Sequence, residues 1–235
     1  MLEPFISTPF LNDTHKADRV TAVRFVLGET IMKYSIIVPA HNSAGFIGRC
    51  LTSVRMQTVR DYELIVVCDR CQDNTEEIVR PYADKVLLTD FGNDGPPRQA
   101  GVDAADGDWI LFLDDDDWWM HEYVLDLIDK GVNKDIDLFC FGFIFRMVGY
   151  ASPLRMVNGR RSFWPSVWNK CYKHSFIEDT PFHNVPVVGT QAPDIEWTTR
   201  LLKKPFAYEI FDQPLYYYNY MRKGSQTDTK VYGNT

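Results

Sequence analysis

Four consecutive carboxylates, Asp114, Asp115, Asp116 and Asp117, follow directly on five apolar residues, Trp109-Ile110-Leu111-Phe112-Leu113. Carboxylates this close repel one another, and free in solution they would spread apart or take up protons. At the end of a buried strand something positive has to offset them. A divalent cation with oxygen ligands does so economically, and a diphosphate could share that cation. Most acidic runs are solvated loops. Here the apolar run favours a site, because ligands of open α/β sheets bind outside the carboxyl ends of the strands.

The elements that must position these acids follow from the flanking sequence. The run Trp109–Leu113 shows no alternation, so it reads as a strand covered on both faces, as in a parallel sheet. Strands of the same kind are expected at Tyr34–Pro39, Glu63–Val67 and Lys85–Leu88, with helices at 44–57, after Asp73 (with Glu76 as a capping-box partner) and at Arg98–Ala105. Strand and helix alternate four times before the acids, which means βαβ units and right-handed crossovers. Beyond them a helix is expected at Glu122–Lys130 and a strand at Ile136–Val148. From Gly149 periodicity fades, so that half reads as irregular segments over the sheet until a helix returns at Asp194–Leu202. Residues 1–31 differ in texture. They are either an extension upstream of a start at Met32 or a short element packed outside the domain.

The totals narrow the function. With 235 residues, one large domain is expected. A net charge of -7 argues against a general nucleic-acid binder. Five scattered cysteines read as reduced thiols, and Cys68-x-x-Cys71, lacking a second pair, is weak evidence for zinc. No apolar run approaches the ~20 residues of a membrane span, and no signal peptide is expected. The expected setting is the cytoplasm, with the inner face of a membrane left open.

Six pieces in order carry a resemblance. They are Ser35-Ile36-Ile37-Val38-Pro39-Ala40-His41-Asn42, Gln57-Thr58, Glu63-Leu64-Ile65-Val66-Val67, Asp73-Asn74-Thr75, Arg98-Gln99-Ala100-Gly101 and Phe112-Leu113-Asp114-Asp115-Asp116-Asp117. Together they resemble the family 2 glycosyltransferases of GT-A fold, over roughly residues 33–226. The resemblance implies a Rossmann-like α/β fold with a mostly parallel central sheet flanked by helices and an irregular acceptor-side half. Residues 32–235 would be one domain, with 32–120 the nucleotide-sugar half and 121–235 the acceptor half. It also implies a metal-dependent, inverting hexosyl transfer from a nucleoside-diphosphate donor, such as a UDP-sugar, to a glycan or other hydroxyl acceptor. The cofactor would be Mn²⁺ or Mg²⁺.

By the same resemblance, Asp116 would be the main metal ligand with Asp114 beside it, and Asp114 or Asp115 would face the ribose. Pro39, His41 and Asn42 would line the nucleotide site, and Asp69 would accept a hydrogen bond from the uracil ring. Its neighbour is Cys68, where the family usually has a second aspartate. Arg98 would either bind nucleotide or phosphate or be a surface helix residue. Asp194, at a helix start where Pro193 replaces a family acid, would be the general base, since a sugar hydroxyl is a poor nucleophile at neutral pH. Asp194 as a plain N-cap is the bland alternative, and Glu196 is the reserve base. Arg222 and Ser225, in a basic segment ending in Gly-Ser, would either close over the diphosphate or belong to an ordinary mobile terminus. Trp164 and Trp168 would either stack on an acceptor sugar or sit in the core. Two rival readings remain. A sugar-phosphate nucleotidyltransferase should carry a Gly-rich basic loop, and residues 39–49 offer only Gly45 and Gly48. A non-catalytic binding module of the same fold would account for Cys68 and Pro193.

Overall fold

The computed structural model describes residues 34–146, 148–157, 160–183 and 192–220. Residues 1–31, Arg222 and Ser225 lie outside them. Four strands, β1 (Tyr34–Ala40), β2 (Tyr62–Asp69), β3 (Lys85–Thr89) and β4 (Trp109–Phe112), pair in parallel in the order β3-β2-β1-β4. Ile36–Val38, Leu64–Val67 and Ile110–Leu113 are all fully buried. That two-sided burial is why these segments are unbroken apolar runs.

Helices α1 (Ile47–Arg55), α2 (Thr75–Val79) and α3 (Gly95–Asp103) link the strands. α1 turns Ile47, Cys50, Leu51 and Val54 into the core. Asp73 does not close a capping box on Glu76. Its carboxylate accepts from the Thr75 N–H at 3.0 Å and the Ala44 N–H at 3.1 Å, tying the start of α2 to the loop before α1. α3 lies against β1 at Gly101, where a Cβ would come within 2.4 Å of Ile37 Cγ2. Gly101→Ala must therefore push helix from sheet, and a loss of about 1–3 kcal/mol in urea-unfolding free energy is expected.

The second half begins with β5 (Trp118–Trp119), α4 (Val124–Gly131) and β6 (Leu138–Phe145). The stretch without clear periodicity then supplies β7 (Gly149–Ala151), a hairpin of β8 (Leu154–Val157) and β9 (Arg160–Phe163), β10 (Lys170–Lys173), α5 (His174–Ile177), α6 (Pro193–Leu201) and β11 (Tyr208–Tyr218). Among the described residues nine strands form one sheet, continuing from β4 as β10-β6-β11-β5, with β7 on β6. β10 runs antiparallel between β4 and β6, while β11 is parallel to β6. The expected irregular cap is thus partly strand, and Lys170 shows why its sequence hides this. This lysine is fully buried in β10, and its ammonium donates to Trp164 O at 2.7 Å, Ser166 O at 2.6 Å and Asn169 Oδ1 at 2.7 Å. All three protons are used, which makes a charge tolerable there, and burial lowers its pKa to about 8.

Candidate active site

The carboxyl ends of β1, β2 and β4 meet along one edge of the sheet. Pro39 is half-buried one residue before the end of β1, and His41 and Asn42 follow it exposed. Asn42 adopts φ +49°, a left-handed conformation that asparagine tolerates. The Gln72 N–H donates to Asn42 Oδ1 at 2.7 Å, leaving the amide Nδ2 to donate to His41 Nε2 at 3.2 Å. His41 Nδ1 therefore carries the proton, donated to Asp69 O at 2.7 Å. This relay fixes the imidazole ring over the end of β2.

The four acids have separate fates. Asp117 is fully buried, accepting from the Tyr216 hydroxyl at 2.6 Å and the Asn219 N–H at 2.7 Å. Burial holds its pKa well above the carboxylate range, so it locks β11 to the acidic loop. Asp115 accepts from the His41 N–H at 3.3 Å and from the Ser43 hydroxyl, joining the β1 and β4 loops. Burial, with repulsion from Asp116, raises it to about 7. Asp114 accepts from Arg98 Nη2 at 2.7 Å. Burial raises it to about 6, with Arg98 opposing and Asp194 adding. Asp116 is half-buried, and its carbonyl accepts from Asn219 Nδ2 at 3.3 Å.

Arg98 is buried in α3, with Nη1 donating to Asp94 O at 2.8 Å. Its charge lies near both Asp114 and Asp194. Asp194 stands in the first turn of α6 behind Pro193, and burial raises its pKa against the pull of Arg98. Asp114, from the loop after β4, Arg98 of α3 and Asp194 of α6 therefore converge. Glu196 instead pairs with Arg200 on its own helix at 3.0 Å.

Other expected residues take structural posts. Trp168 is core, stacked on Tyr216 at 4.6 Å and on Tyr218 at 4.9 Å between ring centroids. Trp164 donates from Nε1 to Ser152 O at 2.9 Å and lies under Arg155. Asp69 is buried and turned into its own loops, with Cys68 buried beside it. Tyr218 was not singled out from sequence. Its hydroxyl is close enough to Asp114, Asp117, Asp116 and Asp194 that, after burial, their charges push its pKa up. The signal was the strand period in Tyr216-Tyr217-Tyr218, which puts the first and third rings on one side.

The family model described as glycosyl transferase family 2 matches residues 35–189. The poly(ribitol-phosphate) beta-N-acetylglucosaminyltransferase TarS of Staphylococcus aureus is 31% identical over 184 residues, 74% of this chain and 29% of TarS. The chain thus spans less than a third of that relative. The solved structure of S. aureus TarS 1-349 in complex with UDP-GlcNAc matches with a TM-score of 0.66 at 24% identity, over 84% of this chain and 61% of that one. The mannosyltransferase PcManGT from Pyrobaculum calidifontis, in complex with GDP-Man and Mn²⁺, matches with a TM-score of 0.60 at 16% identity, over 88% and 69%. With two thirds of its length inside the family model and its sheet shared with these structures, the chain belongs to glycosyl transferase family 2 and has the GT-A fold.

Proposed function

We propose that this chain is a metal-dependent, inverting glycosyltransferase that moves a sugar from a nucleoside-diphosphate donor, a UDP-sugar by preference, to a glycan hydroxyl. The observation that carries the reading is the convergence of Asp194 with Asp114 and Arg98 at the carboxyl ends of the strands. Such a site joins a base to a metal-side acid. Residues 32–120 hold the donor and 121–235 shape the acceptor side, as one domain. The work takes place in the cytoplasm. Among the described residues no helix is long and apolar enough to cross a membrane.

The donor set fits a hard cation. Asp114 and Asp115 are raised by burial among like charges, a cost that a divalent cation with oxygen ligands relieves. Among the described residues no three His, Cys, Asp or Glu side chains form a complete cage, so Asp116 and Asp114 would share the ion with the donor's phosphates. When bound, Mn²⁺ or Mg²⁺ offsets charge on the departing diphosphate. Asp194 accepts the proton of the acceptor hydroxyl. That oxygen forms the new bond to the anomeric carbon from the face opposite the diphosphate, which leaves with the old bonding pair. Arg98 opposes the burial that raises the pKa of both Asp114 and Asp194.

Carboxylates bind a cation only when ionised, so Mn²⁺ should raise the melting temperature most above pH 7 and progressively less toward pH 5. The metal-free fold has the opposite sign. Asp114 and Asp115 hold protons up to about 6 and about 7, whereas the unfolded chain loses them near about 4. These two groups therefore add stability as pH falls from about 7 toward 4. Melts at three pH values, with and without Mn²⁺, read both. The function itself is tested by release of nucleoside diphosphate from UDP-, GDP- and dTDP-sugars, with Mn²⁺ and with chelator. Release of one donor's diphosphate that chelator abolishes supports it. Absence of nucleotide binding in every arm overturns it.

A further inference from the structure

A lysine sealed inside a protein normally meets a carboxylate. Among the described residues Lys170 has none. Its ammonium has three partners, Trp164 O, Ser166 O and Asn169 Oδ1, and all lie within the six residues before it. The turn from Trp164 to Asn169 is therefore folded around one cation. The same turn is fastened to its neighbours. The Ser166 hydroxyl donates to Asn169 Oδ1 at 3.1 Å, Asn169 Nδ2 to Phe141 O at 3.4 Å, and the Tyr172 hydroxyl to Val167 O at 3.2 Å.

This turn carries Trp168. The indole stacks on Tyr216 and Tyr218 of β11 and meets Phe143 edge-on at 4.7 Å between ring centroids. Tyr216 in turn holds the acids. Its hydroxyl accepts from the Asp114 N–H at 3.2 Å and donates to Asp117 Oδ2 at 2.6 Å. A continuous line of contacts runs from the Lys170 ammonium through Trp168 and Tyr216 to the backbone of Asp114.

We propose that Lys170 is a positioning residue for the active site: its ammonium shapes the 164–169 turn, and the turn seats Trp168 against the tyrosine that fixes Asp114 and Asp117. The effect on the site rests on the nucleotide-sugar reading above, whereas the seating of Trp168 does not. The arrangement needs the charge. A neutral amine has two N–H groups for three acceptors and turns a lone pair toward the third, so loss of the proton releases one acceptor of the turn. Cys140 of β6 and Asp194 of α6 favour the charged form, and Arg155 of β8 opposes it. Burial outweighs them and brings the proton loss down to about 8.

The test is a titration of the full chain from about pH 6 to about pH 10, read by tryptophan emission with far-UV circular dichroism alongside. Wild type should show a reversible emission step centred near pH 8 with secondary structure unchanged. Trp168→Phe should remove the step. Lys170→Arg, which keeps a cation at every pH used, should abolish it too. At pH 7, Lys170→Met should weaken UDP binding in Mn²⁺ by about tenfold, and Lys170→Arg should bring it back to within about threefold of wild type. The wild-type titration keeps the proposal testable if Lys170→Met fails to fold. A flat wild-type profile, or a step that survives in Trp168→Phe or Lys170→Arg, overturns the proposal. So does a folded Lys170→Met chain with a lower melting temperature and wild-type UDP affinity, the mark of a purely structural lysine. Failure of the wild type to bind UDP removes the donor reading and with it the effect on the site, while the pH step still decides whether Lys170 seats Trp168.

Discussion

Asp116→Asn is expected to lower sugar transfer by about a thousandfold while leaving the fold intact. Asp116 is half-buried at the mouth of the acidic cluster, and the contact that places its backbone is made by its carbonyl. Asparagine keeps that contact and the side-chain shape while removing the charge. Offsetting a departing diphosphate through a metal is worth several kcal/mol, and about 4 kcal/mol corresponds to a factor of about 10³. Steady-state transfer and Mn²⁺-dependent nucleotide binding should fall together. Undiminished turnover in this variant would shift the metal to Asp114. Asp117→Asn is the contrasting change, because it alters a buried acceptor of two hydrogen bonds and should register first in melting temperature.

Asp194→Asn is expected to cost about 10² to 10⁴ in kcat, the range of a positioned general base, with donor binding retained. The wild-type rate should rise with pH as Asp194 loses its proton. Burial has moved that loss above the ordinary carboxylate range, so the acid limb of the profile lies above about pH 4. The asparagine variant should lose that limb. Glu196→Gln provides the control. Its carboxylate is paired with Arg200, and it should retain activity within about tenfold, because a solvent-accessible i,i+4 pair is worth little. A larger loss there than in Asp194→Asn would exchange the two roles.

The parallel half of the fold was legible because burial on both faces leaves one readable mark, the unbroken apolar run, which β1, β2 and β4 carry, while the edge strand β3 shows a shorter apolar run that is only half-buried. β10 carries no such mark. Its lysine is buried on three carbonyl-type acceptors that only the folded chain supplies. The candidate site divides in the same way. Asp114, Asp116 and Asp194 stood out by type and position. The inward turn of Asp117 depends on Tyr216, a residue 99 positions away, and the capture of Asp69 depends on two N–H groups of a loop after β3. Pairings of that kind are set by packing, and spacing along the chain carries no trace of them. Arg98 was expected either to bind nucleotide or phosphate or to lie on a helix surface, and the fold buries it against Asp114 with Asp194 nearby.

The insertion of β10 beside β4 also bears on how the molecule comes into being. On the ribosome the β3-β2-β1-β4 half emerges first, but the hydrogen-bonding edge of Trp109–Phe112 gains its second neighbour only when residues 171–173 are synthesised. Until then the nascent chain presents an unpaired apolar strand, the feature by which partly made sheets join one another. The β3-β2-β1-β4 half is therefore no free-standing module. A chain ended near residue 120 would be expected to accumulate as aggregate, and the long wait for β10 makes the full-length protein a natural client for chaperones that shield strand edges.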